Sequence, residues 1–242
     1  MKIHPVSDVH LGWADAPPLP KFHKSDVCVL VGDIGTVKHD RLYRWYLKEL
    51  KKRFKYIIMI MGNHEFYGAP FEQGLESAQK LADEFGVILM DVNLGTENLE
   101  IDGVTFWGST LWTDLNQNDF FARNAFVTNL NDSKVIVGYT ADEYLKQHND
   151  SVAKINWDAD VVISHHRPIF RKHIDFEIQD NTYSFCCTQL EDRIYDSNIK
   201  YWFYGHTHDN SNIDVGGTKV ISNQLSCSPN SPQYDPKFFV EV

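Results

Sequence analysis

The chain has 242 residues and a formal net charge of −10, with 43% hydrophobic and 23% charged residues, which suits one large α/β domain with a real core. The acid excess argues against a broad phosphate-backbone footprint, so nucleic acid is not expected as an extended partner, although bound metal ions could still create a local positive centre. No basic and apolar leader opens the chain, no apolar run is long enough for a bilayer, and the four cysteines form no C-x-x-C pair, so a cytoplasmic protein with no membrane partner is expected.

No repeat or linker-like tract divides the sequence, and one domain over 1–242 is expected. "KIHPVS" predicts a first strand, with Pro5 removing one ladder donor. "DVCVLVGD" predicts a strand buried on both faces, with Cys28 as a small hydrophobe. Tyr43, Tyr46, Leu47, Leu50 and Phe54 then recur at helical spacing between Asp40 and Phe54. "YIIMIMGNHE" is a further buried strand, and Phe71 to Phe85 predicts an amphipathic helix stopped by Gly86. "VILM", "NLEIDG" and "VTFWGST" read as strands, with Asp102-Gly103 turning a hairpin. Asn116 to Phe126 and Ala141 to Trp157 predict helices, and "DVVISHH" a strand. Pro168 to Ser184 has no clean period and reads as an irregular loop, followed by a short helix from Leu190 to Tyr195. "KYWFYGHTH", "SNIDVGGTKVISN" turned at Gly216-Gly217, and "FFVEV" complete a layered α/β order.

The polar residues fall at one kind of place. Asp8 and His10 follow the first strand and Asp33 follows the second. Asn63 and His64 follow the third, His165 and His166 end "DVVISHH", and His206 and His208 end "WFYGHTH". In α/β sheets, ligands bind outside the carboxyl ends of the strands, and Gly before three of these tips lets the backbone turn and approach a ligand closely. Any one tip could be a turn, a cap or a surface histidine. Six of the eleven histidines lie in these tips, each behind a separate apolar run, and that joint pattern points to a shared metal centre. Seven Asp, His and Asn donors without a thiolate suit borderline-hard divalent ions such as Mn, Fe or Zn. They are too many for one ion and about right for two, with Asp33 the natural bridging carboxylate.

In that order, "SDVH", "GD", "GNHE", "SHH" and "GHTH" resemble the signature of the calcineurin-like metallophosphoesterases across essentially the whole chain. The resemblance implies a four-layer αββα sandwich of two mixed β-sheets flanked by helices. It implies one ion on Asp8, His10, Asp33 and His208 and a second on Asp33, Asn63, His165 and His206, with manganese favoured. The implied reaction is hydrolysis of a small phosphomonoester or phosphodiester by in-line attack of a hydroxide bridging the ions. Asp33 and His64 are then the catalytic residues, with His64 protonating the leaving oxygen, a role that suits an imidazole. Asn63, His64 and Arg167 are the candidate substrate contacts, and a surface salt bridge is the alternative for Arg167.

The sequence departs from the protein Ser/Thr phosphatase branch. "GDIGTVK" and "MGNHE" stand where that branch has "GDxVDRG" and "RGNHE", so its phosphate-binding arginines are missing. Two alternatives remain: a nuclease, which would need a basic or aromatic track, and a non-catalytic interaction module on the same fold. Specificity is expected in the loops around 12–25, 113–125 and 168–184. Trp13, Phe66, Tyr67 and Trp112 could stack on a substrate there or belong to the core.

Overall fold

The computed structural model describes residues 1–12, 25–170, 183–226 and 233–242. In the first sheet β1 (Lys2–Val6), β2 (Val27–Val31), β3 (Tyr56–Ile60) and β4 (Ile88–Leu89) run parallel in that order, with β11 (Val240–Glu241) antiparallel beside β1. The second sheet contains β5 (Asn98–Ile101), β6 (Val104–Ser109), β7 (Val161–Ser164), β8 (Tyr201–Tyr204), β9 (Asn212–Val215) and β10 (Thr218–Ser222). Its order is β5-β6-β7-β8-β10-β9, parallel in the middle and closed at each edge by an antiparallel hairpin. These hairpins turn at Asp102-Gly103 and Gly216-Gly217, as their sequence predicts.

Residue alternation sorts each central strand between two cores. Val27, Val29, Val31, Ile58 and Ile60 pack against Phe106, Val161, Ile163 and Phe203, filling the space between the sheets. Cys28, Leu30, Ile57 and Met59 face outward onto Tyr43, Tyr46, Leu47, Leu50, Leu75 and Leu81. Trp107, Val162 and Trp202 face the opposite way, onto Ile155, Leu190 and Ile194. Two mixed sheets with helices on both outer faces make the expected four-layer αββα sandwich. Phe66 and Trp112 are core residues of the first outer layer, whereas Trp13 lies outside the described residues, as does most of the loop expected over 168–184.

Pro5 is accommodated by the topology. It pairs with Val29 of β2, but β11 matches only Lys2 and Ile3 of β1. The Pro5 carbonyl accepts instead from the Asn223 side chain (3.0 Å). Its ring nitrogen faces that same side, where the ladder has already ended, so no strand–strand hydrogen bond is lost.

The helix α1 (Arg41–Lys51) and the helix α2 (Phe71–Phe85) lie where the apolar periodicity puts them, and Gly86 closes α2 with a left-handed cap at φ 59°. The helix expected over Asn116 to Phe126 is divided. Leu115–Asn118 (α3) is one turn with positive φ at all four residues, and α4 (Phe120–Asn129) starts afresh after it. Asp119 is the reason: its backbone is extended and its carboxylate accepts from the N–H groups of Phe121 and Ala122, making it an N-cap. A short α5 (Asp132–Val135) and then α6 (Ala141–Ala153) follow. The α6 helix stops short of Trp157, because the Asn156 side chain takes the Asp158 N–H into a turn. Tyr183–Cys186 and Glu191–Tyr195 are short helices. Among the described residues, no helix is long and apolar enough to cross a membrane.

Candidate metal centre

The ends of β1, β2, β3, β7 and β8 come together where the two sheets meet. The β1 and β2 tips stay paired beyond their strands, through Asp8 N–H to Gly32 O (3.1 Å) and His10 N–H to Asp33 O (3.0 Å). The β7 and β8 tips are joined by Gly205 N–H to His165 O (2.9 Å). Across the sheets, the His206 N–H donates to both oxygens of Asp8, each at 3.1 Å. Asp8, His10, Asp33, His206 and His208 all have positive φ, between 49° and 67°. Such strain in non-glycine residues concentrates at functional sites. The glycines beside them are required by contact: a Cβ on Gly32 would come within 2.5 Å of His165 Nδ1, and one on Gly62 would run into Asp33 Oδ1 and the His165 ring.

Three donor groupings result: Asp8 with His10 and His208, His10 with Asp33 and His64, and Asp33 with His165 and His206. In the first, His10 Nε2 faces His208 Nε2 at 3.0 Å, and His208 Nε2 stands 3.4 Å from Asp8 Oδ1. In the last, His165 Nε2 is 3.3 Å from Asp33 Oδ1. Asn63 joins that grouping, its Oδ1 lying 3.2 Å from both His165 Nε2 and His206 Nδ1. All seven expected ligands therefore converge. Asp8, Asp33, Asn63 and His165 are a buried floor, and His10, His64, His206 and His208 a half-buried rim.

The donor set fits two divalent cations. Ring nitrogens and carbonyl or carboxylate oxygens crowd together at hydrogen-bond distance, sharing the few protons available, and a cation would satisfy them all at once. Burial alone would raise the Asp33 carboxyl, but His165, His64 and His10 outweigh it and hold it well below the usual carboxylate range. Burial likewise opposes charge on His165, yet Asp33 and Asp8 lift it to about 10. His206, half-buried but with its ring desolvated beside the charge on His165, falls to about 3. His165 Nδ1 donates to the Val31 carbonyl (2.8 Å), which fixes Nε2 as its metal-facing nitrogen.

His64 occupies the rim. Its backbone N–H donates to Asp33 Oδ1 (2.9 Å), its Nε2 is 3.7 Å from Asp33 Oδ2, and its ring stacks on Tyr67 at 4.3 Å. His166 turns inward, with Nε2 3.4 Å from the Tyr144 hydroxyl and its ring 4.3 Å from that of His206. Arg167 is buried and its Nε donates to the Ile169 carbonyl at 2.9 Å. An exposed salt bridge is thereby corrected, because the side chain is buried.

Three supporting residues escaped the sequence reading. Buried Glu65 accepts from the N–H groups of Gly62 (2.8 Å), Asp33 (2.9 Å) and Ile34 (2.8 Å), tying the β2 and β3 tips together. The Gln224 side chain accepts from His208 N–H at 2.7 Å and donates to Thr207 Oγ1 at 2.9 Å, bracing the β8 tip. Asp132 Oδ1 accepts from both Asn63 Nδ2 (2.8 Å) and the Tyr67 hydroxyl (2.7 Å). Glu65 carried a signal, since it completes "GNHE"; Gln224 and Asp132 carried none beyond turn and cap chemistry.

Two β-sheets carrying a histidine–carboxylate centre at their joined strand ends define the metallophosphoesterase class. The chain belongs to the calcineurin-like phosphoesterase family, whose model matches residues 1–210. It is similar to uncharacterized protein L509 of Acanthamoeba polyphaga mimivirus, 23% identical over 276 aligned positions that cover 98% of this chain and 95% of that protein. The fold matches that of the phosphopantetheinyl hydrolase PptH from Mycobacterium tuberculosis, with a TM-score of 0.72 at 18% identity over 93% of this chain and 89% of that one. A dimetal phosphatase from Danio rerio is a more distant match, with a TM-score of 0.46 at 14% identity over 92% and 86% of the two chains.

Proposed function

We propose that this protein hydrolyses small phosphomonoesters or phosphodiesters with the help of two divalent ions, Mn²⁺ being the favoured pair. The observation that carries the reading is the position of Asp33, a single carboxylate placed in two donor groupings with histidines on both sides. Asp8, His10, Asp33 and His208 would hold one ion, and Asp33, Asn63, His165 and His206 the other. Bound together, such ions supply a nucleophile at neutral pH and neutralise the charge that grows on a phosphoryl group.

The chain's own residues do the remaining work. Asp33 offsets the mutual repulsion of the two cations. The buried floor keeps the donors preorganised, and the half-buried rim is the side from which an ester would enter. His64, held there by Asp33 and Tyr67, gives a proton to the leaving oxygen. The absence of a thiolate from the donor set supports Mn, Fe or Zn in a catalytic role over a structural zinc.

The test is hydrolysis of p-nitrophenyl phosphate and bis(p-nitrophenyl) phosphate with Mn²⁺, followed by a panel of phosphorylated metabolites and cyclic nucleotides. Turnover that disappears with chelator and returns with Mn²⁺ is expected. No turnover with any divalent ion, in protein that binds two ions per chain, overturns the reading.

A further inference from the structure

We infer that Asp132, contributed by the segment between β6 and α6, is a positioning residue that orients Asn63 toward the metal pair and seats His64 through Tyr67. This rests on the reading of Asn63 as a metal donor. An asparagine amide is two-faced: only its oxygen can coordinate a cation, and a flipped amide would present NH₂. Asn63 Oδ1 faces His165 and His206, so something must hold Nδ2 on the far side. Asp132 Oδ1 does so at 2.8 Å, with the Tyr67 hydroxyl 3.1 Å from the same Nδ2. Asp132 is fully buried, and a buried carboxylate is a strong acceptor for such a clamp.

The same oxygen takes the Tyr67 hydroxyl at 2.7 Å, which fixes the ring that lies 4.3 Å from His64. One carboxylate therefore controls a donor of one ion and the support of the proposed acid. The backbone reinforces the placement: Gly68 N–H donates to Val135 O (2.9 Å) and Val137 N–H to Ala69 O (3.0 Å). The end of α5 and Val137 just beyond it are thus stitched to the turn that follows β3, three to five residues after Asp132. This geometry makes the segment carrying α3 to α5 part of the catalytic framework.

Mn²⁺ titration by calorimetry, run alongside ester hydrolysis, tests this on the full chain. Asp132→Ala is expected to weaken one of two Mn²⁺ equivalents about 10–100-fold, the range for losing a residue that orients a ligand, with the other equivalent unchanged. Asp132→Asn, which keeps an acceptor oxygen, should recover most of that loss. Tyr67→Phe should leave both Mn²⁺ affinities as they are and lower kcat with little change in KM. Wild-type Mn²⁺ affinities in a folded Asp132→Ala variant overturn the inference. If that variant does not fold, a structure of the Mn²⁺-loaded wild-type protein decides: Asn63 Nδ2 remaining on Asp132 supports the clamp, and a broken contact overturns it. A wild-type protein that binds no Mn²⁺ would instead remove the proposed function, and this inference with it.

Discussion

His10 Nε2 and His208 Nε2 stand 3.0 Å apart although 198 residues separate them in the chain. Two imidazoles brought nitrogen to nitrogen at a strained pair of strand ends gain little from each other, since at most one proton can be shared between them. Their arrangement makes sense as two donors aimed at one cation, with Asp8 as the third.

That arrangement separates the two ion sites by mutation. His208→Ala should remove one Mn²⁺ equivalent, because His208 belongs only to the grouping with Asp8 and His10. Asp33→Asn should impair both equivalents and take ester hydrolysis below detection. Calorimetric stoichiometry distinguishes them, and a full complement of ions in Asp33→Asn would refute the shared carboxylate.

His64→Ala should behave differently from either. The His64 ring stands on the rim, with its Nε2 3.7 Å from Asp33 Oδ2. Both ions should remain while kcat falls roughly 10²–10⁴-fold, as for loss of a general acid. An ester with a very good leaving group should lose less, since it needs little protonation. An equal loss for good and poor leaving groups argues against the acid role.

The convergence of the candidate donors was legible in the sequence because each strand tip that carries them ends its own apolar run, so the strand pattern locates them without any knowledge of tertiary contacts. The layers were legible for the same reason: Val27, Val29 and Val31 alternate with Cys28 and Leu30, and a strand that is apolar on both faces needs a layer on each side. What holds these donors in place was not legible. Asp132 reaches Asn63 across 69 residues of sequence, and no local period records such a contact. The α3 turn failed for another reason. Its residues carry helix-compatible spacing, but the Asp119 side chain competes for the N–H groups of the next turn and restarts the helix there.

Glu65 offers a stability test that is independent of catalysis. Its carboxylate serves four backbone N–H groups, of Gly62, Asp33, Ile34 and Gly35, in the buried turns after β2 and β3, together with the Tyr43 hydroxyl at 3.3 Å. Glu65→Ala would orphan those donors, at about 1–3 kcal/mol for each buried group left unsatisfied. A fall in Tm of at least about 6 °C in metal-free protein is expected, taking roughly 2–4 °C per kcal/mol for a domain of this size. Glu65→Gln, which keeps one acceptor oxygen, should lose less. An unchanged Tm for Glu65→Ala would mean that the two tips hold together without it.

The pairing of His165 with Asp33 fixes how metal binding responds to pH. In the metal-free protein His165 is lifted to about 10, against an ordinary value of 6.5, because Asp33 and Asp8 outweigh the burial that opposes its charge. A group raised on folding stabilises fully below its unfolded value and loses that contribution as pH rises through the folded one. The metal-free protein should therefore lose stability between about pH 6.5 and 10 from this group. A metal ion would take the neutral imidazole, so binding near pH 7 should expel the His165 proton, and apparent Mn²⁺ affinity should rise at least about tenfold per pH unit in that window. His206, held near 3, is already neutral and adds no such dependence. Calorimetry in buffers of different ionisation enthalpy should show at least one proton released per chain at pH 7, with His208, also raised against its burial by Asp8, adding to the His165 proton. The stabilisation by Mn²⁺ should also grow with pH up to about 10. Heats independent of buffer would mean that His165 is neutral before the metal arrives, and that the Asp33 pair does not carry the charge assigned to it.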